Sequence, residues 1–481
     1  SGTGEGETFY AFNFADDGPT AHLAVLPADD ATTTSLREDL AALPQLSVDE
    51  TATAQPNPED TGTDGVKADR VSSADFSIYF NNDQTGNGTP SNSSDNVDYG
   101  TDGPGSVAYS VSLLLDGALV SVNAETGVAS GLYAVADGGG KGGQILLYAT
   151  ETGVVGRVGE QDYFTIQVDP NSGEITLSQT IQDGVSIWHP IAGSTEAAAD
   201  DVVSLTGLGD SGEETGNVTY EIRLTQTVTD GDGDTSSVHV NLTSDQDSGT
   251  GEGETFYAFN FADDGPSVTI AAATTVKAAV DESATSSTTG VLDYGTYTAG
   301  NDPDVSGTGV IASATSSGPV VTLSTEAYGA DGPATSGSKV YALSVTTASS
   351  GVTLTDGSAI NLVQLSTGNV VGVVQGTGSF AGQVAFVIGI NSSTGVLSVE
   401  QYLSLDHPNE ATAANSYDSY DEPINLASGS LGVTVTLKDG DNDTVLSNTA
   451  DISSQVVFED AGPSVTIAAA TTVKAAVDES A

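Results

Sequence analysis

Val218-Thr219-Tyr220-Glu221-Ile222-Arg223-Leu224 alternates apolar and polar side chains, and its reading decides the fold class. Tyr220, Ile222 and Leu224 share one face while Glu221 and Arg223 share the other, the period of two of a half-buried antiparallel strand. The run leads into Asp230-Gly231-Asp232-Gly233-Asp234-Thr235, an acidic ladder on a glycine-rich turn, which returns as Asp439-Gly440-Asp441-Asn442-Asp443-Thr444. Residues 164–168, 174–178, 384–390 and 396–402 are further runs rich in β-branched and aromatic side chains. Asn171-Ser172-Gly173 and Ser393-Thr394-Gly395 sit between paired runs as hairpin turns. The best helical spacing is at 34–43, where Ser35 can cap and Leu36, Leu40 and Leu43 share a face. Short strands with turn signals every ten or so residues predict an all-β chain of sandwiches.

Internal repetition sets the domain plan. Residues 1–19 recur without change at 248–266, and residues 267–284 recur without change at 464–481. The expected organisation is therefore the tail of a preceding module (1–19), a first module (20–266), a second (267–463) and the head of a following one (464–481). The polar stretch 81–96 is a long loop or an internal boundary near 81–105, so each module is either one elaborated sandwich or two. Inside the modules, motifs match in order. Tyr99-Gly100-Thr101-Asp102-Gly103-Pro104 answers to Tyr328-Gly329-Ala330-Asp331-Gly332-Pro333, Thr152-Gly153-Val154-Val155-Gly156 to 367–372, and His189-Pro190 to His407-Pro408.

Lys and Arg number 10 against 66 Asp and Glu, a net charge of -56, which excludes a nucleic-acid backbone as partner. Disorder is the ordinary reading of such acidity, but 37% of residues are hydrophobic and fall in alternating runs. A folded surface this acidic needs counter-ions, either divalent cations or a salty medium. There is no cysteine, so thiolate sites and disulfides are absent, and bound calcium is the available staple for a secreted chain. Methionine is absent even at position 1, which reads as a piece of a longer chain, and no apolar run reaches the roughly 20 residues that cross a bilayer.

The acidic turns are the candidate metal ligands. Asp230, Asp232 and Asp234 have the one-three-five spacing that begins an EF-hand loop, as do Asp439, Asp441 and Asp443. The match then fails in both, with Thr235 and Thr444 where glycine is required and Asn241 and Ala450 where glutamate is required. Aspartates packed this closely repel without a cation, and calcium is the expected one. A second set lies near the module ends: Asp263 and Asp264, expected to face Asp281 and Glu282 across a joint; Asp16 and Asp17 with Asp49 and Glu50; and Glu459 and Asp460 with Asp478 and Glu479.

The ladders, the Asp263-Asp264-Gly265-Pro266 junction, the 367–372 turn and the Val168–Gly173 hairpin together resemble the extender repeats of very large bacterial repeats-in-toxin adhesins exported by type I secretion. That resemblance implies tandem immunoglobulin-like sandwiches, calcium at the module junctions, an extracellular, cell-surface location, and a spacer role. It also implies neighbouring modules, and other copies in a fibre or biofilm matrix, as partners. The nonapeptide β-roll of those proteins is missing; Gly138-Gly139-Gly140-Lys141-Gly142-Gly143 carries no aspartate.

No catalytic order of Ser, His and Asp accompanies His189 or His407, which read as packed or capping histidines, and Trp188 reads as a core anchor rather than a sugar platform. Carboxylate pairs are too numerous for glycosidase spacing to mean anything. The chain is expected to be a calcium-stiffened spacer and not an enzyme. Two other readings stay open: a ligand-binding module using residues 81–137, and an acidic surface-layer or matrix protein.

Overall fold

The alternating run at 218–224 is the middle of the strand Asn217–Asp230, and Tyr220, Ile222 and Leu224 are its buried face as the sequence predicts. That face continues through Gln226 and Val228 to Asp230, so the same period of two carries the ladder's first carboxylate inward. The strand pairs antiparallel with Pro104–Leu115 on one side and, through the ladder turn, with Thr235–Asn241 on the other.

The computed structural model describes residues 18–21, 44–50, 70–80, 99–122, 124–137, 139–180, 185–189, 202–210, 217–243, 257–282, 290–303, 309–407, 422–460 and 467–468. Among these the protein is all-β, with no α-helix and no helix long and apolar enough to cross a membrane. The helical expectation at 34–43, the polar stretch 81–96, and Asp16 and Asp17 lie outside the described residues.

The chain forms two compact units. The first comprises Ser1–Ser267 together with Ala327–Ser336 and Lys438–Thr444; the second comprises Val268–Glu326, Gly337–Leu437 and Val445–Ala481. Two short segments of the second sequence repeat thus belong to the first unit. One is the Asp331 loop and the other is the second aspartate ladder.

In the first unit a six-stranded sheet runs in the order Val71–Asp75, Glu174–Gln179, Gln161–Val168, Gly153–Val158, Lys141–Ala149, Val128–Val135. It shares one hydrophobic core with the sheet built on Pro104–Leu115 and Asn217–Asp230. A small third sheet sets Leu46–Asp49 parallel to Phe259–Ala262, with Val202–Ser204 on the other edge. The second unit repeats the plan. Ala312–Pro319, Val396–Gln401, Gln383–Ile390, Val370–Val374, Ala359–Gln364 and Ser349–Thr353 follow in the same order, and Ala278–Asp281 lies parallel to Val456–Glu459. The predicted hairpins at 171–173 and 393–395 join adjacent strands in these sheets.

One packing device is shared by both units. Gly156 lies opposite Phe164 in the sheet, and a side chain there would run into the phenyl ring. The freed ring packs on Phe261, centroids 4.8 Å apart. Gly372, Phe386 and Phe458 repeat the arrangement with centroids 5.0 Å apart. The glycine that closes the 152–156 and 367–372 motifs therefore makes the socket for the ring that ties the end strand to the main sheet. Phe164→Ala is expected to cost about 3–5 kcal/mol through the cavity it leaves, and Gly156→Ala about 1–3 kcal/mol through overpacking. Urea unfolding followed by the fluorescence of Trp188, the only tryptophan, reads the first unit alone.

Candidate metal centre

Each ladder is a tight turn organised by its first aspartate. Asp230 Oδ1 accepts the N–H groups of Gly233 (3.0 Å) and Asp234 (2.8 Å), and Asp439 Oδ1 accepts those of Asn442 (3.1 Å) and Asp443 (2.7 Å). The fourth position has φ 105 at Gly233 and φ 91 at Asn442, a left-handed backbone that glycine and asparagine tolerate, which accounts for the Gly-to-Asn exchange between the ladders. The turn occupies one oxygen of each leading carboxylate. The other, Oδ2 of Asp230 and of Asp439, is buried and makes no hydrogen bond.

Around the second ladder the first unit gathers an acidic cluster. Three overlapping groups, Glu50–Asp263–Asp331, Asp331–Asp439–Asp441 and His189–Asp263–Asp441, each place one ligand atom per residue within 4.8 Å of the others. The backbone explains the convergence. Leu46–Asp49 and Phe259–Ala262 run parallel in register, and Glu50 N–H donates to the Ala262 carbonyl (3.2 Å), so Glu50 and Asp263 leave the same end of one sheet. The Asp331 loop is held by a bridge from Pro333 to Asp439 and by the Ala334 N–H on the Lys438 carbonyl (3.1 Å). Gly440 lies against the Asp331 carbonyl, where a side chain has no room, and its own carbonyl accepts the N–H of Gly140. Gly139 and Gly140 of the glycine-rich stretch thus make a backbone contact to the ladder.

The cluster's chemistry is set by burial and repulsion. Glu50 Oε1 accepts the N–H of Ile187 (2.8 Å) and the Gln179 amide, while Oε2 makes no hydrogen bond. Both oxygens of Asp263 and Oδ2 of Asp441 are likewise buried without one. Burial, then the Asp441 and Asp331 charges, pushes Asp263 well above the usual carboxylate range. Glu50 is raised by burial and then by Asp331, although the Ile187 N–H and Arg70 oppose this. Burial and then Asp441 raise Asp331 to about 7, and burial with Asp441 raises Asp439 to about 10. Buried carboxylate oxygens aimed at one another are the donor set of a hard divalent cation, and they fit one here.

The second unit has a smaller group, Glu282, His407 and Asp460, in which the His407 and Glu282 side chains are buried, with ligand atoms again within 4.8 Å. Glu282 Oε1 accepts the Leu405 N–H (3.1 Å) and the Gln401 amide, repeating the setting of Glu50. A third group joins Asp230 to Asp102 and Asp232, both exposed. Here too the loop carbonyl, that of Asp102, leaves no room for a side chain at Gly231.

The predicted site residues divide accordingly. Glu50, Asp263, Asp439 and Asp441 meet in the main cluster, Glu282 and Asp460 in the second, Asp230 and Asp232 in the third. Asp443 and Asp264 are buried beside the main cluster, and Asp234 is exposed near Gly18. Asp49, Asp281 and Glu459 enter no group, because each sits one residue out of phase with the inward face of its strand. The expected pairing of acidic pairs across a joint is corrected. Asp281 stands opposite Glu459 and Glu282 N–H donates to the Glu459 carbonyl (3.1 Å), so each opening pair meets the end of its own repeat. Asp102, Asp331 and the two histidines were not among the expected ligands, although Asp102 and Asp331 hold the same place in a repeated motif. Both histidines are packed with one ring nitrogen at a backbone carbonyl, and each also faces a carboxylate.

Residues 45–243 and 277–453 each match one family, described as a domain of unknown function (DUF5801). The chain belongs to this family. No curated protein and no solved structure matches it. Each DUF5801 stretch contains its opening glutamate, its histidine and its ladder, but ends before the return strand that supplies Asp263 or Asp460.

Because Glu50, Asp263, Asp331 and Asp439 are raised in the fold, they favour the folded state below their unfolded values near 4, and that contribution is lost as pH rises through the folded values, about 7 for Asp331. In chelator-treated protein the melting temperature of the first unit is expected to fall between pH 5 and pH 8. Asp441→Asn should flatten this slope.

Proposed function

We propose that this chain is a structural spacer of a cell-surface adhesin or extracellular fibre, stiffened by calcium at its ladder turns and module junctions. The observation that carries the reading is the main cluster. Five carboxylates, Glu50, Asp263, Asp331, Asp439 and Asp441, are contributed by both sequence repeats to one compact unit. Oxygens of Glu50, Asp263, Asp439 and Asp441 are buried without hydrogen bonds. Such a centre is unfavourable empty and strongly favourable around a cation of charge two or more. Calcium suits it because the ligands are all-oxygen, numerous and irregularly disposed, whereas magnesium demands a near-ideal octahedron.

The tandem architecture gives the cation a mechanical use. A ladder belonging by sequence to the second repeat is collected into the first compact unit, so an ion there would clamp successive repeats together. Extracellular calcium, in the millimolar range, fits an acidic, cysteine-free protein that needs another kind of staple. Neighbouring modules of the same chain, and other copies in a fibre or matrix, are the partners such a spacer takes.

At a site affinity of about 10⁻⁴ M and calcium near 10⁻² M, occupancy stabilises the fold by about 2.7 kcal/mol per site. Calorimetry with calcium and with chelator should show that increment in the first unit. Asp441→Asn should abolish it, whereas Asp356→Asn, at an exposed turn, should retain it. Small-angle scattering completes the test: a maximum dimension and melting temperature indifferent to chelator would sink the spacer reading.

A further inference from the structure

The two histidines are placed alike by different means. His189 Nε2 lies 3.1 Å from the Phe261 carbonyl, and His407 Nδ1 lies 2.7 Å from the Glu422 carbonyl. A carbonyl oxygen only accepts, so in each ring the nitrogen facing it carries the hydrogen. The other nitrogen is turned to carboxylates: His189 Nδ1 is 3.5 Å from Asp263 Oδ1, and His407 Nε2 is 3.7 Å from Glu282 Oε1. The rings use opposite nitrogens, yet both tether one to the backbone and offer the other to an acidic group. A packed or capping histidine has no reason to repeat that choice.

This is the arrangement of a metal-binding imidazole, whose second nitrogen donates to a backbone carbonyl and so fixes tautomer and ring orientation. Calcium takes oxygen ligands, whereas imidazole suits zinc and its neighbours. We propose that His189, Asp263 and Asp441, and separately His407, Glu282 and Asp460, are mixed nitrogen–oxygen sites for a borderline divalent transition metal of the zinc class. They are distinct in metal from the all-carboxylate positions assigned to calcium.

Two observations beyond the acidic clustering point to a ligand. The His407 side chain is 3% exposed and its Nε2 makes no hydrogen bond. The Asp263 side chain is fully buried, with neither oxygen hydrogen-bonded. In each group three ligand atoms, one of them nitrogen, lie within 4.8 Å of one another, which matches the three protein ligands of an open zinc site. The proposal shares Asp263 and Asp441 with the calcium reading but does not rest on it.

The test uses the whole chain, dialysed against zinc in the presence of excess calcium and analysed for bound metal. Two zinc ions per chain are expected. His189→Gln and His407→Gln should each weaken one of them by about 100-fold or more, since even outer-shell partners are worth 10–100-fold. Cobalt substitution should give visible absorption that each variant halves. On the unmodified chain, imidazole nitrogen NMR should show zinc, and not calcium, shifting His189 Nδ1 and His407 Nε2. Zinc binding that is unchanged in both variants, is displaced fully by calcium, or leaves the imidazole resonances unmoved would overturn the proposal. If zinc behaves as expected while calcium leaves the melting temperature unchanged, the spacer reading fails and this one stands.

Discussion

Buried carboxylates that repel one another are the constraint on which the rest of this protein turns. A lone ionised carboxylate is costly to bury, and Glu50, Asp263, Asp331, Asp439 and Asp441 are brought together with His189 beside Asp263 and Arg70 beside Glu50. Burial and the neighbouring charges hold four of them, Glu50, Asp263, Asp331 and Asp439, above the usual carboxylate range. A net charge of -56 makes the conflict general, but this is where the fold concentrates it. The hydrophobic core of the first unit supplies the stability that lets such a centre exist.

Three of the carboxylates are delivered by a single geometric rule. On the strand Leu46–Asp49, Leu46 and Val48 face inward, and the next inward place is Glu50. On Phe259–Ala262, Phe259 and Phe261 lead to Asp263, and on Leu431–Lys438 the buried series Leu431, Val433, Val435, Leu437 leads to Asp439. Glu50, Asp263 and Asp439 are each the first polar residue on an apolar face, carried inward by the same period that built the core. The aromatic socket of Gly156, Phe164 and Phe261 then pins the return strand that bears Asp263.

That rule was legible in the sequence, though only part of it was read. Alternation identified the strands around Tyr220 and Ile222, the two hairpins and both ladders. The same alternation, carried two residues further, would have separated Glu50 and Glu282 from their out-of-phase neighbours Asp49 and Asp281. Asp102 and Asp331 were visible as equivalent places in a repeated motif, but each stands alone there, without the second acid that marks the Asp263-Asp264 junction. The histidines were visible as equivalent places before proline, but their meaning depends on which ring nitrogen meets which oxygen.

By itself the sequence determined the all-β class, the repeat plan and the acidic turns, because period, turn chemistry and duplication are properties of neighbours along the chain. Only the tertiary structure decided which acids meet. Glu50 reaches Asp263 through a parallel pairing of strands far apart in sequence, and Asp331 reaches Asp439 through a bridge that no local pattern encodes. It also separated two ladders of nearly identical sequence. Asp232 and Asp234 stand exposed while Asp441 and Asp443 are buried, because burial depends on what packs against a turn and not on the turn itself.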